Sequence, residues 1–130
     1  MTFVDTSFWV PLQFKHDQNH AAARSVWSRA RRPLLTTNHV LGETWTFLRR
    51  RLGHRAAQEF REAATSDGGP LVAHLDEATE AEAWNWLGRH DERAYSFVDA
   101  TSFAVMRRRR IRQALAFDGD FSAAGFVEAR

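Results

Sequence analysis

Four carboxylates in this 130-residue chain stand in apolar surroundings, and their setting is where chemistry could be done. Asp5 follows Phe3-Val4, Glu43 lies between Val40 and Phe47, Asp99 follows Phe97-Val98, and Asp118 follows Ala116-Phe117. There are 16 acidic residues in all; Glu59, Glu62, Glu77, Glu80, Glu82 and Glu92 fall on polar faces or near helix starts. A carboxylate is costly to bury unless it is paired or bound to a metal. Taken singly, each of the four has a structural explanation. Asp5 and Asp99 could cap helices, Asp118 could serve the Asp118-Gly119 turn, and Glu43 could pair with an arginine. Together they suggest a cluster of oxygen ligands in a chain without cysteine, which suits the hard cations Mg²⁺ or Mn²⁺. A cation would also relieve the repulsion by which close carboxylates raise one another's pKa.

The elements that must position these acids follow from the pattern of apolar residues. Residues 2–5 read as a strand ending on Asp5, and Thr6 to about Phe14 as a helix with Pro11 near its first turn. A helix from His20 to about Arg31 carries Ala22, Val26 and Ala30 on one stripe, and Leu34-Leu35-Thr36 is a short strand. Thr36-Thr37-Asn38 supplies cap chemistry for a helix to Leu52, with Leu41, Trp45, Leu48 and Leu52 inward and Gly53 as its stop. A further helix runs from His54 to about Ser66 and ends at the turn Ser66-Asp67-Gly68-Gly69-Pro70. Leu71 to Leu75 is a strand, and Asp76 caps a helix to about His90 with Trp84 and Leu87 inward. Asp99 opens the next helix, Ala114 to Phe117 is a strand, and Phe126-Val127 is a candidate edge strand. Strands alternating with helices indicate βα units around a parallel sheet. In such sheets ligands bind beyond the carboxyl ends of the strands, where Asp5 and Asp118 are expected.

The length fits one domain, residues 1–130, able to bury a substantial core. No apolar run approaches a membrane span, no signal peptide is evident, and the lack of cysteine suits a reducing cytoplasm. The formal net charge is only +2, yet the 18 basic residues are all arginine except Lys15. Arginine presents a planar fork that matches phosphate. The clusters Arg49-Arg50-Arg51 and Arg107 through Arg110 are either a nucleic-acid footprint or solvated helix faces. Of the five tryptophans, Trp45 and Trp27 read as inward, whereas Trp9 and Trp86 serve either an interface or the core.

The chain resembles the PIN-domain ribonucleases, in particular the VapC-type toxins of bacterial toxin–antitoxin pairs. The resemblance rests on Val4-Asp5-Thr6-Ser7, Asn38 through Glu43, Phe97-Val98-Asp99-Ala100-Thr101-Ser102 and Ala116-Phe117-Asp118-Gly119-Asp120-Phe121, in that order along the whole chain. It implies a three-layer α/β/α sandwich around a mainly parallel sheet of four to five strands, with an acidic pocket at its carboxyl edge. By that analogy Asp5 and Asp99 bind Mg²⁺ most directly, with Mn²⁺ able to substitute. Glu43 and Asp118 act directly or through water, Asp120 is auxiliary, and Ser7 and Thr101 orient water or acids. Arg49, Arg50, Arg51, Arg107 and Arg108 would hold RNA around the pocket. The resemblance also implies cleavage to a 5′-phosphate and a 3′-hydroxyl, inhibition by a cognate antitoxin, and a homodimer.

Two other enzyme classes fit less well. A phosphatase of the haloacid-dehalogenase type needs a second Asp two places after the first, where this chain has Ser7. A receiver domain needs a lysine near its site, and Lys15 lies in the wrong region. The remaining alternative is a catalytically inactive PIN-like module that binds RNA or protein; a complete acid set speaks against it.

Overall fold

The computed structural model describes residues 1–129. Its elements run β1 (Thr2–Val4), α1 (Thr6–Gln13), α2 (His20–Arg29), β2 (Leu34–Thr37), α3 (Asn38–Leu52), α4 (His54–Ala64), β3 (Leu71–Ala73), α5 (Glu77–Arg89), α6 (Phe97–Arg109), β4 (Gln113–Leu115), α7 (Asp120–Ala123) and β5 (Val127–Ala129). The five strands form one sheet in the order β3-β2-β1-β4-β5, and every pairing is parallel. The chain steps outward from β1 to β2 and β3, crosses back to β4, then steps outward again to β5. Parallel crossovers are right-handed, so the two directions place helices on opposite faces, α1–α4 on one and α5–α7 on the other.

Aromatic packing separates the two faces. Trp9 meets Trp27 and Phe60 on one, with Phe8 against Trp27 and Phe117. On the other, Phe103 meets Phe121, Phe126 and Trp86, and Phe121 reaches Phe3. The central strands read as continuous buried runs, Thr2-Phe3-Val4 and Leu34-Leu35-Thr36-Thr37, because helices cover both sides.

Helix ends follow their local chemistry. Thr37 caps α3 by accepting from Val40 N at 3.1 Å, and Gly53, at φ 100°, ends it. Helix α6 has no apolar stripe because every residue from Asp99 to Met106 is buried.

Several details depart from the sequence reading. Pro11 lies in the second turn of α1, buried, rather than in the first. Ala23 rather than Ala22 faces inward on α2 with Val26, and Leu52 is exposed at the end of α3. Trp84 is 61% exposed and stacks on Phe97, whereas Trp86 is in the core. Two tryptophans two places apart must lie far apart around a helix, and periodicity alone did not decide which faced in. The short helix α7 was not anticipated; four residues hold no periodic signal.

Candidate metal centre

The sheet reverses its winding between β1 and β4, and a crevice opens beyond the carboxyl ends at such a point. Asp5 follows β1, and Asp118 lies just past β4. Helix α3 brings in Glu43 and the first turn of α6 brings in Asp99. Asp5, Glu43, Asp99, Asp118 and Asp120 line one cleft of about 440 Å³, together with Asp17, Ser7 and Ser96.

Each acid is held by its own local geometry. Asp5 caps α1: its Oδ2 accepts from Ser7 N at 3.1 Å and Ser7 Oγ at 2.8 Å. The same hydroxyl accepts from Phe117 N at 3.0 Å, which joins the end of β1 to the chain leaving β4. Asp99 and Ser96 form a reciprocal capping box, with Asp99 N donating to Ser96 Oγ and Ser96 N to Asp99 Oδ2, both at 2.9 Å. The cap and site readings of Asp5 and Asp99 are therefore compatible. Glu43 is steadied through its neighbour Thr44, whose hydroxyl lies 3.0 Å from that of Thr6 and donates to Val40 O.

Asp118 and Asp120 sit on a tight loop. Gly119 takes φ 82°, a left-handed value that favours glycine. Asp118 Oδ1 accepts from Asp120 N at 3.0 Å. Glu128 on β5 accepts from Gly119 N at 3.2 Å and Ser122 N at 3.0 Å. Arg93 places Nη2 2.9 Å from Asp120 Oδ1 and Nε 3.0 Å from the same oxygen.

Carboxylate oxygens of Asp99, Asp118 and Asp120 lie within 4.8 Å of one another. Asp120, expected only as an auxiliary acid, thus falls within the same limit of Asp99 as Asp118 does. Asp5, 2% exposed, lines the same cleft outside this trio. Burial and then the charge of Asp118 push Asp5 up to about 8, against the two Ser7 hydrogen bonds and with a further rise from Asp99. Loss of hydration, opposed by the Asp120 N–H, and then the charges of Asp120, Asp99 and Glu128 bring Asp118 up to about 6. Asp99 is raised chiefly by burial, with Asp120 and Glu43 adding to it and the Ser96 hydrogen bonds opposing it. The cluster therefore resists full ionisation by itself. Its donors are hard oxygens around a space that a small divalent cation fits.

The remaining candidates fall elsewhere. The Thr101 hydroxyl donates to Val98 O at 2.7 Å, one turn back in α6, so its proton is directed at the helix backbone and not at an acid. Arg50 and Arg51 border a groove that shares Glu43 and Phe47 with the cleft. Arg107 and Arg108 lie at the opposite end of α6, roughly 13 Å along the axis from Asp99. Arg108 pairs with Glu82 at 2.7 Å, and Arg107 lies over Trp86. They sit at that helix end, where the helix dipole favours cations, and outside the lining of the cleft. Ser96, Arg93 and Asp17 went unremarked from the sequence. Only Ser96 had a readable signal, the Ser-x-x-Asp pattern of a capping box.

Comparison with known proteins decides the family. The PIN domain model matches residues 2–127. The chain belongs to the PIN-domain family. It is 56% identical over 130 residues to the 23S rRNA-specific endonuclease VapC20 of Mycobacterium tuberculosis, strains H37Rv and CDC 1551, covering 100% of this chain and 98% of the relative. The crystal structure of Mycobacterium tuberculosis VapC20, described as a sarcin–ricin loop cleaving toxin, superposes with a TM-score of 0.96 at 55% identity, covering 100% of this chain and 99% of that one. Within the PIN-domain family the chain is thus an endonuclease of the VapC type. PIN nucleases use a divalent metal, and the acid cluster of this chain offers a site for one. No helix among the described residues is long and apolar enough to cross a membrane.

Proposed function

We propose that this protein is a Mg²⁺-dependent endoribonuclease toxin of a toxin–antitoxin pair, acting in the cytoplasm on the sarcin–ricin loop of 23S rRNA. The observation that carries the metal site is the convergence of Asp99, Asp118 and Asp120 within 4.8 Å. Full-length identity to a 23S rRNA-specific endonuclease supports the substrate.

In this reading Asp5 and Asp99 hold the cation most directly, and Glu43 and Asp118 act directly or through water. Asp120, within reach of the same space, is an auxiliary acid tied to Arg93. When bound, Mg²⁺ or Mn²⁺ supplies Lewis acidity toward water and phosphate and neutralises the charge that develops. The Ser7 hydroxyl keeps the Asp5 carboxylate oriented, and the Ser96 backbone N–H keeps that of Asp99 oriented. A water oxygen forms the new P–O bond, the P–O3′ bond breaks, and the water's proton ends on O3′. The products are a 5′-phosphate and a 3′-hydroxyl.

A cognate antitoxin inhibits the enzyme, and the active form is a homodimer; VapC-type relatedness supports both. The test is cleavage of 23S rRNA by purified protein. Activity should require Mg²⁺ or Mn²⁺, stop on chelation, and disappear in Asp99→Asn with the fold retained by circular dichroism. Full activity in chelator or in Asp99→Asn would overturn the metal reading. Toxicity on expression, relieved by the neighbouring reading frame, tests the pair.

A further inference from the structure

Beyond the acids, α3 presents a succession of side chains along one face. Glu43, Phe47, Arg50 and Arg51 are spaced four, three and four places apart in overlapping steps, which stacks them in a row on a helix. Glu43 and Phe47 line both the acidic cleft and an adjoining groove of about 810 Å³, which Arg50, Arg51, His39 and Asn38 also border. The two depressions therefore adjoin, and Glu43 and Phe47 form their common border. Phe47 is 38% exposed, unusual for a phenylalanine, and the Arg51 guanidinium lies 5.2 Å from the ring centroid. Arg49, Arg50 and Arg51 are exposed, and none has an ion-pair partner among the described residues. By contrast Phe97, which packs against the groove residue His39, is already stacked on Trp84 at 4.2 Å.

An anionic centre, an exposed ring and two cations in a line match the parts of a single strand: scissile phosphate, neighbouring base, following phosphates. Bases stack on exposed aromatic rings only when unpaired, and arginine adds both a phosphate contact and a cation–π contact. We propose that Phe47 is a substrate-positioning residue that stacks the unpaired base next to the scissile phosphate, while Arg50 and Arg51 hold the phosphates beyond it. This rests on the ribonuclease reading and adds to it a requirement for an unpaired nucleotide at a stated place.

The experiment uses the full chain, Phe47→Ala, Phe47→Trp and the double variant Arg50→Ala/Arg51→Ala. The probe is an RNA stem–loop carrying 2-aminopurine in its loop, with the same sequence as a perfect duplex for comparison. Phe47→Ala is expected to lower kcat/KM on the stem–loop roughly tenfold, and Phe47→Trp to restore it. Binding to Asp99→Asn protein should quench 2-aminopurine, and Asp99→Asn/Phe47→Ala should not. The duplex should be cut poorly by all. The arginine double variant should flatten the salt dependence of binding by about 0.7 in the log–log slope for each phosphate lost. Thermal melts of each variant separate misfolding from lost contact, and rescue by tryptophan does so independently. If the wild-type protein cuts no RNA, the ribonuclease reading itself fails. If it cuts RNA and Phe47→Ala is as active and as well quenched, the stacking role is overturned while the nuclease stands. The same holds if Phe47→Ala loses only inhibition by a partner protein, since the ring would then belong to a protein interface.

Discussion

The hydroxyl of Ser7 donates to Asp5 Oδ2 at 2.8 Å, and the bond spans only two residues of sequence while the same oxygen reaches Phe117 N across the sheet at 3.0 Å. One small side chain thus sets the orientation of the most buried acid and fixes the distance between β1 and the end of β4.

Ser7→Ala removes both contacts. The Phe117 N–H loses its partner, which should cost about 1–3 kcal/mol in urea unfolding. The Ser7 bonds hold the Asp5 pKa down, so the variant should ionise Asp5 at still higher pH. Its pH–rate profile should move alkaline, with activity at neutral pH lower by about ten- to a hundredfold. An unshifted profile would show that Asp5 does not gate activity.

Stability should depend on pH in an unusual direction. Asp5 and Asp118 are raised from 3.8 to about 8 and about 6. A carboxyl with a higher pKa folded than unfolded binds more protons in the native state, so its contribution is fully present below 3.8 and is lost as pH rises through the folded value. In chelator the protein should melt higher at about pH 5 than at about pH 8, and saturating Mg²⁺ should raise the alkaline value most. Calorimetric scans settle it: a melting temperature that climbs over that interval in chelator contradicts the buried-acid account.

Arg93 neutralises Asp120 from outside the cleft. The pair is partly exposed and should contribute less than about 1 kcal/mol to folding. Arg93→Ala frees a full carboxylate beside Asp118 and Asp99, so titration calorimetry should find Mg²⁺ bound a few-fold more tightly. Weaker binding would mean that Arg93 holds Asp120 in the geometry the cation needs.

The two tryptophans of α5 should behave oppositely. Trp86 packs against Phe103, Tyr95 and His90, and Trp86→Ala should cost about 3–5 kcal/mol. Trp84 is mostly in solvent, and Trp84→Ala should cost less than about 1 kcal/mol in denaturant melts. Comparable losses would place Trp84 in a buried interface.

Much of this was readable from the chain. Strand ends were legible because buried parallel strands are uninterrupted apolar runs, and Phe3-Val4-Asp5 and Ala116-Phe117-Asp118 break such runs with charge. Glu43 and Asp99 were legible as acids among apolar neighbours. What the sequence hid were relations between distant residues. Nothing near Asp120 announces Arg93, 27 positions away, or Glu128 as the acceptor for Gly119. The arginine clusters read alike in sequence, yet one borders the groove beside the cleft and the other ends a helix that begins at the cleft, because a helix separates its two ends by its own length. Thr101 looked poised for the site, but a threonine inside a helix readily turns its hydroxyl to a carbonyl of the preceding turn.

The bond from Glu128 to the acid loop has a consequence for synthesis. Glu128 clasps Gly119 and Ser122 through both carboxylate oxygens, and it follows every cleft acid in chain order. A nascent chain that has passed Asp120 but not yet reached β5 carries the whole acid set without the clasp that shapes its last member. The order of translation thus places assembly of the centre after the making of its parts.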